Sequence, residues 1–215
     1  MKGDPYLHDV FCSVLEYDVN NVLNTMRKYY NWKLIRDYSI YRVRRELPLY
    51  SDLPKIVSSN NVISVDFPDP SSYVDVVWVL RKNNRPTHKH VVFNEVKTGR
   101  YDIDKIIRKY SNIVYSSVYT PPVRYIFIWS WSSNHVNALN ELRKSPKVMD
   151  KVSRLNRQGI VRFIPLELIV NLAKQRISRA LSILRSANCT LSEHDFMVTR
   201  YAYKFLGYGG DNGGE

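Results

Sequence analysis

Apolar positions along the chain follow two periods, and the changes between them mark out the elements. Between residues 8 and 30, Phe11, Val14, Leu15, Val22, Met26 and Tyr29 recur at the spacing of one helix face. Between residues 33 and 49, Tyr41, Val43, Leu47 and Leu49 alternate with Arg42, Arg44, Glu46 and Pro48, which predicts a half-exposed strand. Residues 51–61 are polar and predict an exposed linker. Residues 61–67 predict a short strand, ended by Pro68-Asp69-Pro70. Two nearly continuous apolar runs follow, Tyr73-Val74-Asp75-Val76-Val77-Trp78-Val79-Leu80 and Val91-Val92-Phe93-Asn94-Glu95-Val96-Lys97. Valine-rich runs of this length, bounded by Pro, Asn and Gly, predict buried central strands. Residues 81–87 read as a long polar connection between them.

Beyond Gly99, residues 102–119 predict a helix with Asp102 and Asp104 in its first turn, where acids suit the helix dipole. Lys105, Arg108 and Lys109 on it would meet a nucleic-acid backbone or simply be solvated. Pro121-Pro122 stops this helix, and residues 123–131 predict a strand. Ser132-Ser133 caps a helix to about residue 144, and a basic helix over 147–158 ends at Gly159. A short strand over 160–164 leads to Pro165, in the first turn of a long helix over 166–186. Thr190-Leu191-Ser192-Glu193 is a capping box for a last helix to about residue 205, and 207–215 is a Gly-rich tail. The succession predicts a single α/β domain over residues 1–206: a mixed central β-sheet flanked by helices, with extra C-terminal helices.

Composition narrows the function. In 215 residues no apolar run approaches the length of a membrane span, and no signal-peptide pattern opens the chain. Cys12 and Cys189 lack metal-ligand spacing, which predicts cytoplasmic thiols, a single disulfide being the alternative. Between Gly3 and Gly207 the only glycines are Gly99 and Gly159, so no phosphate-binding loop exists. The five histidines fit no nucleophile triad, and His88-Lys89-His90 reads as polarity at a strand entry rather than a metal site. A net charge of +12 then changes the picture. A basic surface attracts phosphate polymers by counterion release, and no basic amphipathic helix points instead to a membrane.

Asp75, Glu95 and Lys97 are charges that a buried strand should exclude, because burying a lone charge costs several kcal/mol, of order. Glu95 and Lys97 project from one face of their strand. With Asp75 on a neighbouring strand, two carboxylates and an ammonium would converge, either as a catalytic site or as a structural ion-pair cluster. The pattern Asp75…Glu95-Val96-Lys97 resembles the PD-(D/E)XK nuclease superfamily, with Val74 standing where the name-giving proline would be. The resemblance implies a restriction-endonuclease-like core and a Mg²⁺ ion, or Mn²⁺, held by Asp75, Glu95 and the Val96 carbonyl. It also implies that Lys97 acts on the attacking water or the phosphate. Many members supply an extra acid from their first helix. Glu16 and Asp18 are candidates, and Glu46 is a third if its strand lies beside that of Asp75.

Two branches of the superfamily can be compared. Ile106 precedes Tyr110 by four positions, so the Gln-X-X-X-Tyr motif of the RecB-like branch is absent, as are its cluster-binding cysteines. The passage Val161-Arg162-Phe163-Ile164-Pro165-Leu166-Glu167-Leu168 is similar to the late strand-to-helix passage of archaeal Holliday-junction resolvases. That implies branched DNA as substrate and a homodimer presenting two sites, with the C-terminal helices serving as interface or core. Size, basicity and richness in tyrosine also resemble nuclease-like proteins of archaeal spindle-shaped viruses, which implies the host cytoplasm. The expectation is a metal-dependent endonuclease acting on DNA. The alternative is a non-catalytic nucleic-acid-binding protein on the same fold.

Overall fold

The computed structural model describes residues 5–49, 55–59, 62–66, 72–83, 85–114, 123–144, 146–157 and 160–186. The helical pattern near the N-terminus is realised as two helices, α1 (Pro5–Tyr17) and α2 (Val19–Tyr29), separated at Asp18. The turn ladder survives there, since the Asp18 N–H donates to the Val14 carbonyl and the Asp18 carbonyl accepts from Val22. The chain bends at Asp18, whose carboxylate accepts a hydrogen bond from Arg176, Nη1 to Oδ2 at 3.0 Å. A short helix, α3 (Lys33–Asp37), takes the start of the expected strand, and β1 (Tyr38–Leu49) takes the rest.

Two further expectations are corrected. A strand, β2 (Lys55–Ser59), lies inside the expected linker and pairs with β3 (Val62–Asp66) as an antiparallel ribbon. Pairing with β3 overrides a polar composition, as cross-strand contacts commonly do. The connection between the central strands is also short. β4 (Ser72–Lys82) and β5 (Arg85–Lys97) stay paired through Arg81↔Lys89 to Lys82↔Arg85. Turn-like polar residues extend the ladder beyond the core because there they face water. The Asn83 N–H then donates to the Asp37 carbonyl at 3.0 Å.

The rest of the described chain is α4 (Ile103–Val114), β6 (Val123–Ser130), α5 (Ser132–Arg143), α6 (Pro146–Arg157), β7 (Val161–Pro165), a 3₁₀ turn (Leu166–Ile169) and α7 (Val170–Ser186). The helix expected over 190–205, the tail over 207–215 and Cys189 lie outside the described residues. Five strands form one mixed sheet in the order β1-β4-β5-β6-β7. β4 is antiparallel to both of its neighbours, β1 and β5, and β5, β6 and β7 run parallel. No helix among the described residues is long and apolar enough to cross a membrane.

Alternation on β6 shows why the central strands are so uniformly apolar. Phe127 and Trp129 pack with Trp78, Leu80 and Val92 under α1, α2, α3 and α7. Ile126 and Ile128 pack with Val77, Phe93 and Val161 under α4, α5 and α6. Both faces are covered, so neither needs a polar side chain. Asn94 is nevertheless fully buried there, bonded through both ends of its amide. Its Nδ2 donates to the Val76 carbonyl at 3.2 Å and its Oδ1 accepts from Trp129 Nε1 at 3.0 Å. One side chain thereby fixes the register of three strands, and a one-residue slip would leave it unpaired.

Between α5 and β7, His135 packs edge-on against Phe163 with ring centroids 4.8 Å apart. Its Nε2 has no hydrogen-bond partner among the described residues. Burial pushes this imidazole down to about 4 from its ordinary 6.5, against the opposing pull of Glu167. The unfolded chain therefore takes up the proton first on acidification. Stability from the neutral ring is complete above the ordinary value and is lost as pH falls from there toward 4. Urea midpoints measured from about pH 7 down to about pH 4 are expected to fall more steeply for the wild type than for His135→Leu, which cannot titrate.

Candidate functional site

The site begins where the sheet opens. Pairing of β4 with β5 reaches Val76↔Asn94 and stops, while β5 continues along β6 as far as Lys97↔Ser130. The first residues past the fork are Asp75 and Glu95. Beyond it the Val96 N–H has no strand to pair with and donates instead to Asp75 Oδ2 at 2.7 Å. A backbone donor that would otherwise be an orphan thus fixes a carboxylate.

The opposite neighbour of Asp75 is distorted. In β1, Arg45↔Val76 and Leu47↔Val74 leave Glu46 level with Asp75, and Glu46 has φ +52. The left-handed region costs a non-glycine residue roughly 1–2 kcal/mol. The strand turns over at the same level. Val74 and Val76 should share a face, yet Val76 packs under α1 and Val74 under α4. Glu46 stays exposed, with its nearest cation Arg45 at 3.9 Å.

Glu95 is the buried charge of the centre, its side chain only 4% exposed. Lys97 Nζ donates to Oε1 at 2.7 Å, and Lys109 Nζ donates to both oxygens at 2.9 and 3.2 Å. The Tyr110 hydroxyl donates to Oε2. Four hydrogen bonds from three side chains offset the desolvation of the charge. Lys109 also donates to the Tyr73 carbonyl, fastening α4 to β4. Burial together with Glu95 pushes the Tyr110 phenol well up, so it remains a donor. Burial works against the Lys97 ammonium, but Glu95 and Asp75 outweigh it and hold its pKa above the ordinary value. Asp75 likewise has burial pushing it up, overcome by the His8 hydrogen bond, Lys97 and the Val96 N–H, so it sits below the ordinary carboxylate range.

Asp75, Glu95, Val96 and Lys97 are therefore side by side. Asp18 is held by Arg176 on α7. Glu16 makes no hydrogen bond or ion pair with Asp75, Glu95 or Lys97 among the described residues. Helix α1 brings His8 instead, Nε2 to Asp75 Oδ2 at 3.3 Å, with its pKa raised chiefly by that bond. Cys12 is one turn on, Sγ 3.7 Å from His8 Nε2. Glu16 is a further turn on, roughly 12 Å from His8 along the axis. Sequence reasoning missed His8, Cys12, Lys109 and Tyr110. The four-residue spacings His8–Cys12–Glu16 and Ile106–Tyr110 were the available signals. Lys109, read as facing DNA or solvent, is turned inward. Arg42 and Arg44 stay exposed on the edge strand β1, and Lys89 and Arg81 lie 3.9 and 5.9 Å from the Tyr41 ring.

The oxygens present suit a hard divalent cation. Asp75 Oδ1 accepts no hydrogen bond among the described residues, and the Val96 carbonyl belongs to the strand edge from which its N–H reaches Asp75. For Glu95 to hold a cation an ammonium would have to swing aside, and Lys97, 29% exposed, is freer to do so than Lys109 at 19%. Until then the two ammonium groups supply the positive charge. Comparison with known proteins finds no family model, no curated protein and no solved structure that matches the chain.

Lys97→Met and Lys109→Met test the double neutralisation. Each alone is expected to cost about 1–2 kcal/mol, because the other ammonium remains. Together they strand a buried carboxylate and should cost about 3–5 kcal/mol, more than the sum of the singles. Urea unfolding of the four proteins measures the coupling, which should vanish in a Glu95→Gln background.

Proposed function

We propose that the chain is a metal-dependent endonuclease of the PD-(D/E)XK kind, hydrolysing phosphodiester bonds of DNA. The observation that carries this reading is the meeting of Asp75, Glu95 and Lys97 at the fork between β4 and β5. The element order supports a restriction-endonuclease-like core. Helix α1 precedes the antiparallel set β1-β4-β5, and α4 then leads to β6, parallel to β5.

In this reading Asp75, Glu95 and the Val96 carbonyl would hold Mg²⁺ or Mn²⁺. The bound ion would lower the pKa of a coordinated water and offset charge gathering on the phosphate. Lys97 keeps its proton and directs its ammonium at that developing charge. Lys109 and Tyr110 act as positioning residues, holding Glu95 in one orientation from α4. His8 steadies Asp75 from α1. Arg42, Arg44, Arg81 and Lys89 offer cations to a phosphate backbone, and the net charge of +12 draws that backbone in. Branched DNA and a two-fold dimer follow from the resolvase likeness of residues 161–168.

A second reading has its own observation. Glu95 is closed by two lysines and a tyrosine, the arrangement of a structural ion cluster. In that reading the protein binds nucleic acid without cutting it.

Labelled four-way junction, duplex and single-stranded DNA, each with Mg²⁺, Mn²⁺ or EDTA, separate the two. Metal-dependent cutting, strongest on the junction, is expected to fall at least about a hundredfold in Asp75→Ala and in Lys97→Ala. Tight binding with no product under any condition selects the second reading. Binding itself should weaken with salt, and Arg42→Ala and Arg44→Ala should each reduce the slope of log K against log salt by about one.

A further inference from the structure

We propose that His8, Cys12 and Asp75 form a binding site for a borderline-soft divalent metal ion of the zinc class. This donor set differs from the all-oxygen set at Asp75, Glu95 and Val96, and the proposal stands whether or not the protein cleaves DNA. His8 and Cys12 are one turn apart on α1, so their side chains share a face. Asp75 approaches that face from β4.

One donor–donor spacing matches tetrahedral coordination, a second is close to it, and the third closes as the ion binds. With metal–nitrogen, metal–sulfur and metal–oxygen bonds of about 2.0–2.3 Å, donor–donor edges come to roughly 3.3–3.6 Å. His8 Nε2 lies 3.3 Å from Asp75 Oδ2 and 3.7 Å from Cys12 Sγ. All three donors lie within 4.8 Å of one another. Sγ is almost equally far from the other ring nitrogen, at 3.8 Å, so it lies off the Nε2 lone pair, and the imidazole has to turn to aim that lone pair between sulfur and carboxylate. That torsion is a soft one.

The surroundings supply what such a site needs. A ligating imidazole is commonly oriented by a carboxylate at its second nitrogen. Here His8 Nδ1 faces Asp9 Oδ1 at 3.6 Å, and Arg45 Nη2 fixes that carboxylate oxygen at 2.6 Å. Cys12 is completely buried, whereas the side chains of His8 and Asp75 are 31% and 17% exposed, so an ion enters from their side. Thiolate and carboxylate together balance a divalent charge. Burial pushes the Cys12 thiol up, so without metal it keeps its proton. Binding forms the sulfur–metal bond and releases that proton to solvent. Lys97 and Arg45 oppose the ion as fixed cations, and Asp9 and Glu95 favour it. Three protein donors leave the fourth position to water. Asp75 belongs to both donor sets, so a soft ion here takes it from a hard one.

Cobalt(II) titrated into the metal-free full-length protein tests the site without any cleavage assay. One equivalent should produce visible ligand-field bands of tetrahedral intensity and a near-ultraviolet sulfur-to-cobalt charge-transfer band. Both should persist in Cys189→Ser. Cys12→Ser should abolish the sulfur band while its circular dichroism shows a folded protein. His8→Ala and Asp75→Asn should each weaken binding about tenfold or more. Zinc should displace the cobalt stoichiometrically, and a large excess of magnesium should not. Cobalt bound with no sulfur band, a band lost in Cys189→Ser, or unchanged affinity in Cys12→Ser would each overturn the assignment.

Discussion

A single carboxylate sits where the cost of a charge is greatest. Glu95 projects from the central strand into the α4 side of the sheet, and three side chains meet it there. Two of them come from α4, one turn from the helix positions that pack Ile106 and Ile107 into the core. The helix is thereby held both by apolar contact and by charge. Moving α4 by a fraction of a turn would leave Glu95 unpaired, so the polar centre also specifies how the helix docks. Removing one partner of such a group is costly, because it leaves an uncompensated buried charge.

The fork between β4 and β5 has a complementary logic. A sheet that stayed paired past Val76↔Asn94 would consume the Val96 amide in its ladder and turn Asp75 away. The left-handed Glu46 and the turned-over Val74 are the local cost of opening it. Strain of this size persists where surrounding structure over-determines it, here through Asn94 on one side of the fork and Leu47 and Leu49 on the other. The donor chemistry around Asp75 is mixed. It has lysines and oxygens on the β5 side, and nitrogen and sulfur on the α1 side.

Much of this was legible beforehand. The central strands announced themselves because both faces are covered, and the charges within them stood out against that background. Helices α4 to α7 followed from ordinary stop and start residues. Other features depend on pairing partners that a single segment does not reveal. The strand at Lys55–Ser59 requires Val62–Asp66, and the tight hairpin requires polar residues to pair where nothing packs on them. The same holds for the site. Asp75, Glu95 and Lys97 lie on two adjacent strands and share a local pattern. His8, Lys109 and Tyr110 join them only through tertiary contact, and a periodic helix face does not say which of its polar members will be turned inward.

Arg176 ties the two ends of the described chain together. Its guanidinium reaches Asp18 and Ser13 across sequence separations of 158 and 163 residues and lies against the Tyr17 ring at 4.7 Å. Loop-closure entropy grows with such separation, so the nitrogen-and-sulfur side of the centre, carried on α1, rests on a costlier closure than the lysine-and-oxygen side, whose β4–β5 hairpin closes over a short stretch of chain.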